Sequence, residues 1–398
     1  MAAMTNARLL MTAKAFRAFG DGFTGLLLPV YLTSLGLSAF RVGVVATAAM
    51  LGSAVLTLAV GLAGHRVSAR LLLLASCGLM LATGIAFSQV HAFWPLLVVA
   101  FVGTLNPSSG DVSVFVPLEQ AMMAHAGPDA ERTSRFAAYN VVGAVAVAVG
   151  ALSVGLVDPL SRILARPRAE VIEGAFALYG LLGVAAFLIY RRLPEETAEA
   201  AELRTGLGPS KARVFQLAGL FSLDSFGGGF LVQSLLALWL FHRFGLSLAT
   251  AGAFFFWTGL LTAGSQFAAG RLAKRIGLIN TMVFTHIPAN LCVVAAAFAP
   301  SLPIALGLLT VRAALSSMDV PARTSYVMAV VTPAERAAAA GVTNVPRSLA
   351  AALSPALAGA LFSAAVFPWP LLIGGSLKIA YDLLLLRQFQ AVKPPEEA

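Results

Sequence analysis

Charge is what this chain has least of: Asp, Glu, Lys and Arg make up 11% of its 398 residues, against about 25% in an ordinary soluble domain. So few charges could not cover a water-soluble globule of this length, which excludes a soluble enzyme. Cysteine is almost missing too, with Cys77 and Cys292 each inside an apolar stretch. Two such residues build no disulfide framework, and no Cys/His spacing suits a metal. The chain has no phosphate-cradling Walker loop, no HExxH and no GxSxG, which speaks against ATP-driven transport and hydrolysis. No cofactor or metal is expected. The first residues carry no long apolar run followed by a small-residue cleavage site, so the first apolar segment is expected to remain in the mature protein.

What the chain does have is hydrophobic sequence, 59% of its residues, with a mean hydropathy of +0.85. A helix needs about 20 residues to cross hydrocarbon. Twelve stretches qualify: 14–35, 40–63, 70–89, 93–122, 134–156, 172–190, 215–240, 247–269, 279–299, 303–328, 337–365 and 368–387. They lack the alternating ten-residue pattern of a membrane barrel. The fold class is therefore an all-α membrane protein of twelve transmembrane helices. An even count places both termini on one side. Eighteen of the 27 Lys and Arg fall on that side and five on the other, so both termini are expected in the cytoplasm. Much of the net charge of +9 is then a topology signal, and nucleic-acid binding is not expected. The one sizeable charged connection, residues 191–213, divides the chain into a half at 1–190 and a half at 214–398.

The halves repeat. A shift of 209 residues lays LGLSAFRVG (35–43) over FGLSLATAG (244–252) and GLAGHRVS (61–68) over GRLAKRIG (270–277). A shift of 204 lays AERTSRFAAYNV (130–141) over AERAAAAGVTNV (334–345), and Val116-Pro117 over Val320-Pro321. Four matches in order indicate a parallel duplication, as in transporters whose halves are related about an axis along the membrane normal.

These residues resemble the major facilitator superfamily of transporters. The most specific sign is the connection between the second and third helices, where the family pattern is Gly-x-Leu-Ala-Asp-Arg-x-Gly-Arg-Arg. Here it reads GLAGHRVSAR (Gly61 to Arg70), with a counterpart GRLAKRIGLI (Gly270 to Ile279). Both keep the leading glycine and an arginine, Arg66 and Arg275. The family's Asp is replaced by His65 and Lys274, so the gating ion pair that Asp usually makes is not available here. The resemblance implies two six-helix halves in which helices 1, 4, 7 and 10 line a central cavity.

Ionisable groups deep in a membrane are costly and so nominate sites. Ten lie inside the spans: Asp21, Asp111, Glu119, Asp224, Arg312, Asp319, Arg323, Arg347, Lys378 and Asp382. On the family pattern Asp21, Asp111, Asp224 and Arg312 face the pathway. A carboxylate away from water takes up a proton more readily than one in water. Asp21 is thus the first candidate for proton coupling, unless it is permanently paired with Arg17 or Arg347; Asp224 is the second. Substrate contacts are expected from Arg312, Asp111, Asn106, Ser109 and Arg347. Arg66, Arg275, Glu119, Asp319 and Arg323 are candidates for gating. Asp319 and Arg323 stand four apart and are expected to pair, as are Lys378 and Asp382. His286 reads as a packing residue, while His65, His91 and His242 fall near interfaces. The glycines at 227–229 suit a bending point, and Pro346 and Pro355 suggest a kink in helix 11.

The expected function is secondary active transport of a small solute by alternating access, coupled to protons and directed outward, by a monomer in a bacterial inner membrane. Helix 5 (residues 139–155) lacks the proline of the Gly-Pro-x-x-Gly-Gly signature that drug/proton exporters of the superfamily carry, which weakens that assignment. Two other readings stay open: a carrier of an organic or phosphate-like anion held by Arg312 and Arg347, and a non-transporting receptor or assembly partner on a transporter fold.

Overall fold

The computed structural model describes residues 2–63, 67–108, 113–124, 132–194, 208–332, 335–364 and 368–392. Every regular element among them is helical. The chain's apolar surroundings supply no hydrogen bonds, so each segment must satisfy its backbone internally, which a helix does. In chain order the helices are α1 (Ala2–Ser34), α2 (Ala39–Ala63), α3 (Ala69–Gln89), α4 (Phe93–Val102), α5 (Phe115–Ala124), α6 (Arg132–Ser153), α7 (Val157–Ile163) and α8 (Arg168–Tyr190). They continue with α9 (Lys211–Gly229), α10 (Gln233–Phe244), α11 (Leu248–Ile276), α12 (Leu278–Ala297), α13 (Leu302–Leu315), α14 (Asp319–Ala329), α15 (Arg336–Ala364) and α16 (Trp369–Phe389).

Two compact units form, one from Met1–Ala201 with Gln233–Trp257, the other from Glu202–Val232 with Thr258–Ala398. In the first unit α1 packs along α6 and α8, α3 along α8, and α10 on α1 and α2. The α1–α6 contact is close because Gly22 lies against the backbone of Val147 and Gly150 against that of Phe19. A side chain at either position would drive the helices apart. In the second unit α9 packs along α15, and α12 along α13, α14 and α16. Its apolar core includes Val214, Leu217, Phe221, Met282, Tyr326, Tyr381 and Leu385.

Among the described residues ten helical segments are long and apolar enough to cross a membrane. The first expected span is occupied by α1, which is polar for a span because it carries Lys14, Arg17 and Asp21. Three expected spans are not continuous. The fourth (93–122) divides into α4 and α5, the seventh (215–240) into α9 and α10, and the tenth (303–328) into α13 and α14.

The causes are local. Asn106 precedes Pro107, a position where helical backbone is disfavoured. The three glycines at 227–229 end α9. The matched dipeptides Val116-Pro117 and Val320-Pro321 each fall in the first turn of the helix that follows a break, where a proline's missing N–H is no loss. Helix 11 shows the opposite outcome: α15 runs unbroken through Pro346 and Pro355.

Candidate functional site

The ionisable residues inside the spans gather mainly into two buried clusters, one in each unit. In the first unit α1 supplies Arg17, α5 Glu119, α6 Tyr139 and α8 Tyr190. Arg17 and Glu119 form an ion pair, with 3% and 0% of their surfaces exposed. The carboxylate also accepts hydrogen bonds from the Tyr139 hydroxyl at 2.5 Å and the Tyr190 hydroxyl at 2.5 Å. Arg17 Nε donates to the Tyr190 oxygen at 3.1 Å, and the guanidinium lies 3.9 Å from the Phe115 ring centroid. One cation, one anion and two phenols thus form a hydrogen-bonded cluster, and Lys14 Nζ lies 5.1 Å from the Tyr139 ring centroid.

In the second unit Asp224 of α9 is the hub. Its Oδ1 lies 2.6 Å from Lys378 Nζ of α16, and its Oδ2 lies 3.3 Å from Arg323 Nη1 of α14. Arg323 also meets Asp319 one turn away at 3.1 Å, and its guanidinium sits over Phe221 at 5.5 Å. His286 of α12 lies between two acids: Nδ1 is 2.9 Å from Asp382 Oδ1, and Nε2 is 3.9 Å from Asp224 Oδ1. Asn290 Nδ2 donates to Asp382 at 3.5 Å. Asp224, His286, Asp319, Arg323, Lys378 and Asp382 are all buried.

Several expectations change here. Asp319 and Arg323 do pair. Lys378 and Asp382 do not, because Lys378 reaches Asp224 while Asp382 is taken by His286. His286 is therefore a hydrogen-bond partner of Asp382 and more than a packing residue. Arg17 serves Glu119, so it does not hold Asp21 as an ion pair.

Of the remaining candidates, Asp21 is partly buried, and among the described residues its carboxylate has no ion pair and accepts no hydrogen bond. Arg312 lies in the last turn of α13 with no ion pair among the described residues, and its Nε is buried without a hydrogen-bond partner. Arg347, partly buried on α15, likewise has no ion pair among the described residues. Asn106 is buried in the α4–α5 break and accepts from the Ser108 N–H at 3.0 Å and hydroxyl at 2.7 Å. Arg275 is exposed near the end of α11. Arg66, Ser109 and Asp111 lie outside the described residues.

The two clusters occupy corresponding places. Gly20 faces Tyr179 and Leu182, as Gly227 faces Gly374 and Leu377; Gly22 abuts Val147, as Gly229 abuts Ala351. These contacts relate α1 to α9 by 207 residues and α6 to α15 by 204. Arg17 then falls on Asp224, and Glu119 on Arg323, so the signs are exchanged between the halves. The signal was in the sequence: at a shift of 207, RAFGDGF (17–23) lies over DSFGGGF (224–230). Reading it would have added Arg17 to the buried set. Tyr139 and Tyr190 gave no such signal, since a tyrosine in a span is ordinarily apolar filling.

Comparison with known proteins gives a consistent picture. The model of the Major Facilitator Superfamily matches residues 10–313 and 220–398. The membrane protein YJR124C of Saccharomyces cerevisiae is 26% identical over 421 residues, covering 97% of this chain and 94% of the relative. A crystal structure of the nucleoside transporter NupG superposes with a TM-score of 0.78 at 13% identity, over 97% of this chain and 100% of that one. A bacterial homolog of the human lysosomal transporter Spinster, inward-facing and occupied, superposes with a TM-score of 0.76 at 16% identity, over 96% of this chain and 97% of that one.

Proposed function

The chain belongs to the major facilitator superfamily, a multi-pass membrane transporter and not an enzyme, and from that premise we propose that it couples the movement of a small solute to protons through Asp21. Alternating access between two six-helix halves is the superfamily's mode of action. The observation that carries the finer reading is the division of the buried charges. Glu119, Asp224, Asp319 and Asp382 are each engaged by a cation or an imidazole. Asp21 makes no ion pair among the described residues, and there it is the acid that can exchange a proton without breaking one. Asp224, held by Lys378 and Arg323, acts as an anchor in this scheme. In this reading the membrane is a bacterial inner membrane, and the bias of Lys and Arg supports both termini on its cytoplasmic side.

The test is flux in proteoliposomes under an imposed pH gradient, comparing the wild type with Asp21→Asn. Gradient-driven accumulation is expected to disappear while solute exchange at equal pH persists. Accumulation that survives in Asp21→Asn defeats the assignment. The sign of the flux reads the direction, for which export is the expectation.

A second reading concerns the cargo. Arg312 and Arg347 are cations without an ion pair inside the spans among the described residues, and Arg312 Nε has no acceptor. Such a pair suits a carboxylate or a phosphate-like group. The same liposomes, screened with organic anions, organic cations and nucleosides, test this. Transport of anions that fails in Arg312→Gln supports it, and transport confined to cations removes it.

A further inference from the structure

The charges in direct contact within the second cluster do not balance on arginine and lysine alone. Three carboxylates, Asp224, Asp319 and Asp382, meet two permanent cations, Arg323 and Lys378, and all five are buried. Arg347 of α15 acts on Asp224 and Asp319 through space without an ion pair among the described residues. The titratable residue that bridges two of these acids is His286, itself 2% exposed. Its ring bridges two of the acids, 2.9 Å from Asp382 on one nitrogen and 3.9 Å from Asp224 on the other. An uncompensated charge in such surroundings is strongly disfavoured. We propose that His286, clamped between Asp382 and Asp224, is a proton-binding site of the C-terminal half, separate from Asp21.

The chemistry is a single protonation. In the neutral ring Nδ1–H donates to Asp382, and the Nε2 lone pair points toward the Asp224 carboxylate. A proton taken from solution binds Nε2, turning that nitrogen into a donor and the ring into an imidazolium. The groups in direct contact then hold three positive and three negative charges. Release returns the proton and leaves a lone pair facing a carboxylate. The bound proton therefore adds a third cation around Asp224, which ties α9, α12 and α16 together.

The groups around the ring on each neighbouring helix are consistent with this. From α16 come Lys378, Tyr381 and Asp382, with the Tyr381 ring 6.2 Å from the imidazole centroid to centroid. From α14 come Asp319 and Arg323, and from α9 comes Asp224. The adjoining α13 carries Arg312 and α15 carries Arg347, and neither makes an ion pair among the described residues. The first half supplies a control within the same molecule. At a shift of 209 the position of His286 is Cys77, which is buried. The Arg17–Glu119 pair there balances without a proton.

The role of this proton in transport rests on the proton-coupled reading above, whereas its binding does not. The experiment is nitrogen NMR of full-length protein carrying labelled histidine in lipid nanodiscs, titrated from acid to alkaline pH. The His286 signals are identified as those lost in His286→Gln. An imidazolium pattern at acid pH is expected to give way to a neutral ring. In Asp382→Asn the transition is expected to change, with the imidazolium pattern reduced at a matched pH, since the ring loses the carboxylate 2.9 Å from Nδ1. A ring that stays neutral throughout, or a transition unmoved by Asp382→Asn, overturns the proposal.

Should Asp382→Asn fail to fold, proton release after an alkaline jump decides between wild type and His286→Gln. One proton fewer per chain is expected from the variant, and equal release overturns the site. Asp21→Asn separates the two claims. Its His286 transition is expected to persist whether or not gradient-driven transport is lost, so each can fail alone.

Discussion

The two buried clusters hold the same position in their repeats and solve the same problem with opposite signs. In the first, the cation is on the first helix of the repeat (Arg17) and the anion on the fourth (Glu119). In the second, the anion is on the first (Asp224) and the cation on the fourth (Arg323). Glycine contacts at 20 and 22, and at 227 and 229, set both geometries. The backbone thus specifies where a buried pair sits, while complementarity alone specifies its members. The difference lies in what surrounds the pair. The first half completes it with neutral tyrosines. The second adds Asp382, His286 and Lys378, and becomes able to hold a proton.

The strongest way to break the comparison is to remove one partner. Arg17→Ala leaves Glu119 buried with two phenols, and stranding a buried charge costs about 3–5 kcal/mol. Thermal unfolding in detergent is expected to show this loss, and the exchange variant Arg17→Asp with Glu119→Arg, which copies the other half, is expected to recover most of it. No recovery would mean that the sign is fixed by something beyond the pair.

A smaller effect is expected from Tyr190→Phe, which removes a hydrogen bond to a charged group worth about 1.5–3 kcal/mol. The same unfolding assay measures it. Thr343, which the repeat places opposite Tyr139, bonds its own helix at Ala339, so Thr343→Val is expected to leave the second cluster's stability nearly unchanged.

Smaller still is the stability change for Asp21→Asn, expected within about 0.5 kcal/mol of the wild type because no ion pair is broken. At a shift of 207 its counterpart is Gly228, so this acid belongs to one half only. A large destabilisation would show Asp21 to be a structural charge.

The smallest expected effect is outside the membrane. Glu335, which precedes α15, accepts from the Gly208 and Ser210 N–H groups and from the hydroxyls of Ser210 and Thr332. These hydrogen bonds, Thr332 foremost, hold its carboxyl down from an ordinary 4.5 to about 2. A depressed folded value contributes stability that is full above 4.5 and is lost as pH falls toward 2. Glu335→Gln is expected to flatten that acid limb in an unfolding series across the same range. Its counterpart at a shift of 204 is Glu131, outside the described residues.

Much of this was legible in the chain itself. The apolar runs and their spacing were enough to expect an all-helical membrane protein, because lipid leaves a backbone only the helix or the closed barrel, and the runs lack a barrel's alternation. The matched segments disclosed the duplication, and the scarcity of charge directed attention to the residues inside the spans. Even the pairing of Asp319 with Arg323 follows from helical spacing. Pairing across helices does not. Lys378 stands one turn from Asp382, yet packing brings Asp224 and His286 closer to each. His286 looked like filler because its partners are 62 and 96 positions away, and nothing in a one-dimensional pattern reports that distance. Asp21, Arg312 and Arg347 were nominated with the rest. That Glu119, Asp224, Asp319, Arg323, Lys378 and Asp382 found partners, and these three made no ion pair among the described residues, was decided by which helix faces the fold turned toward one another.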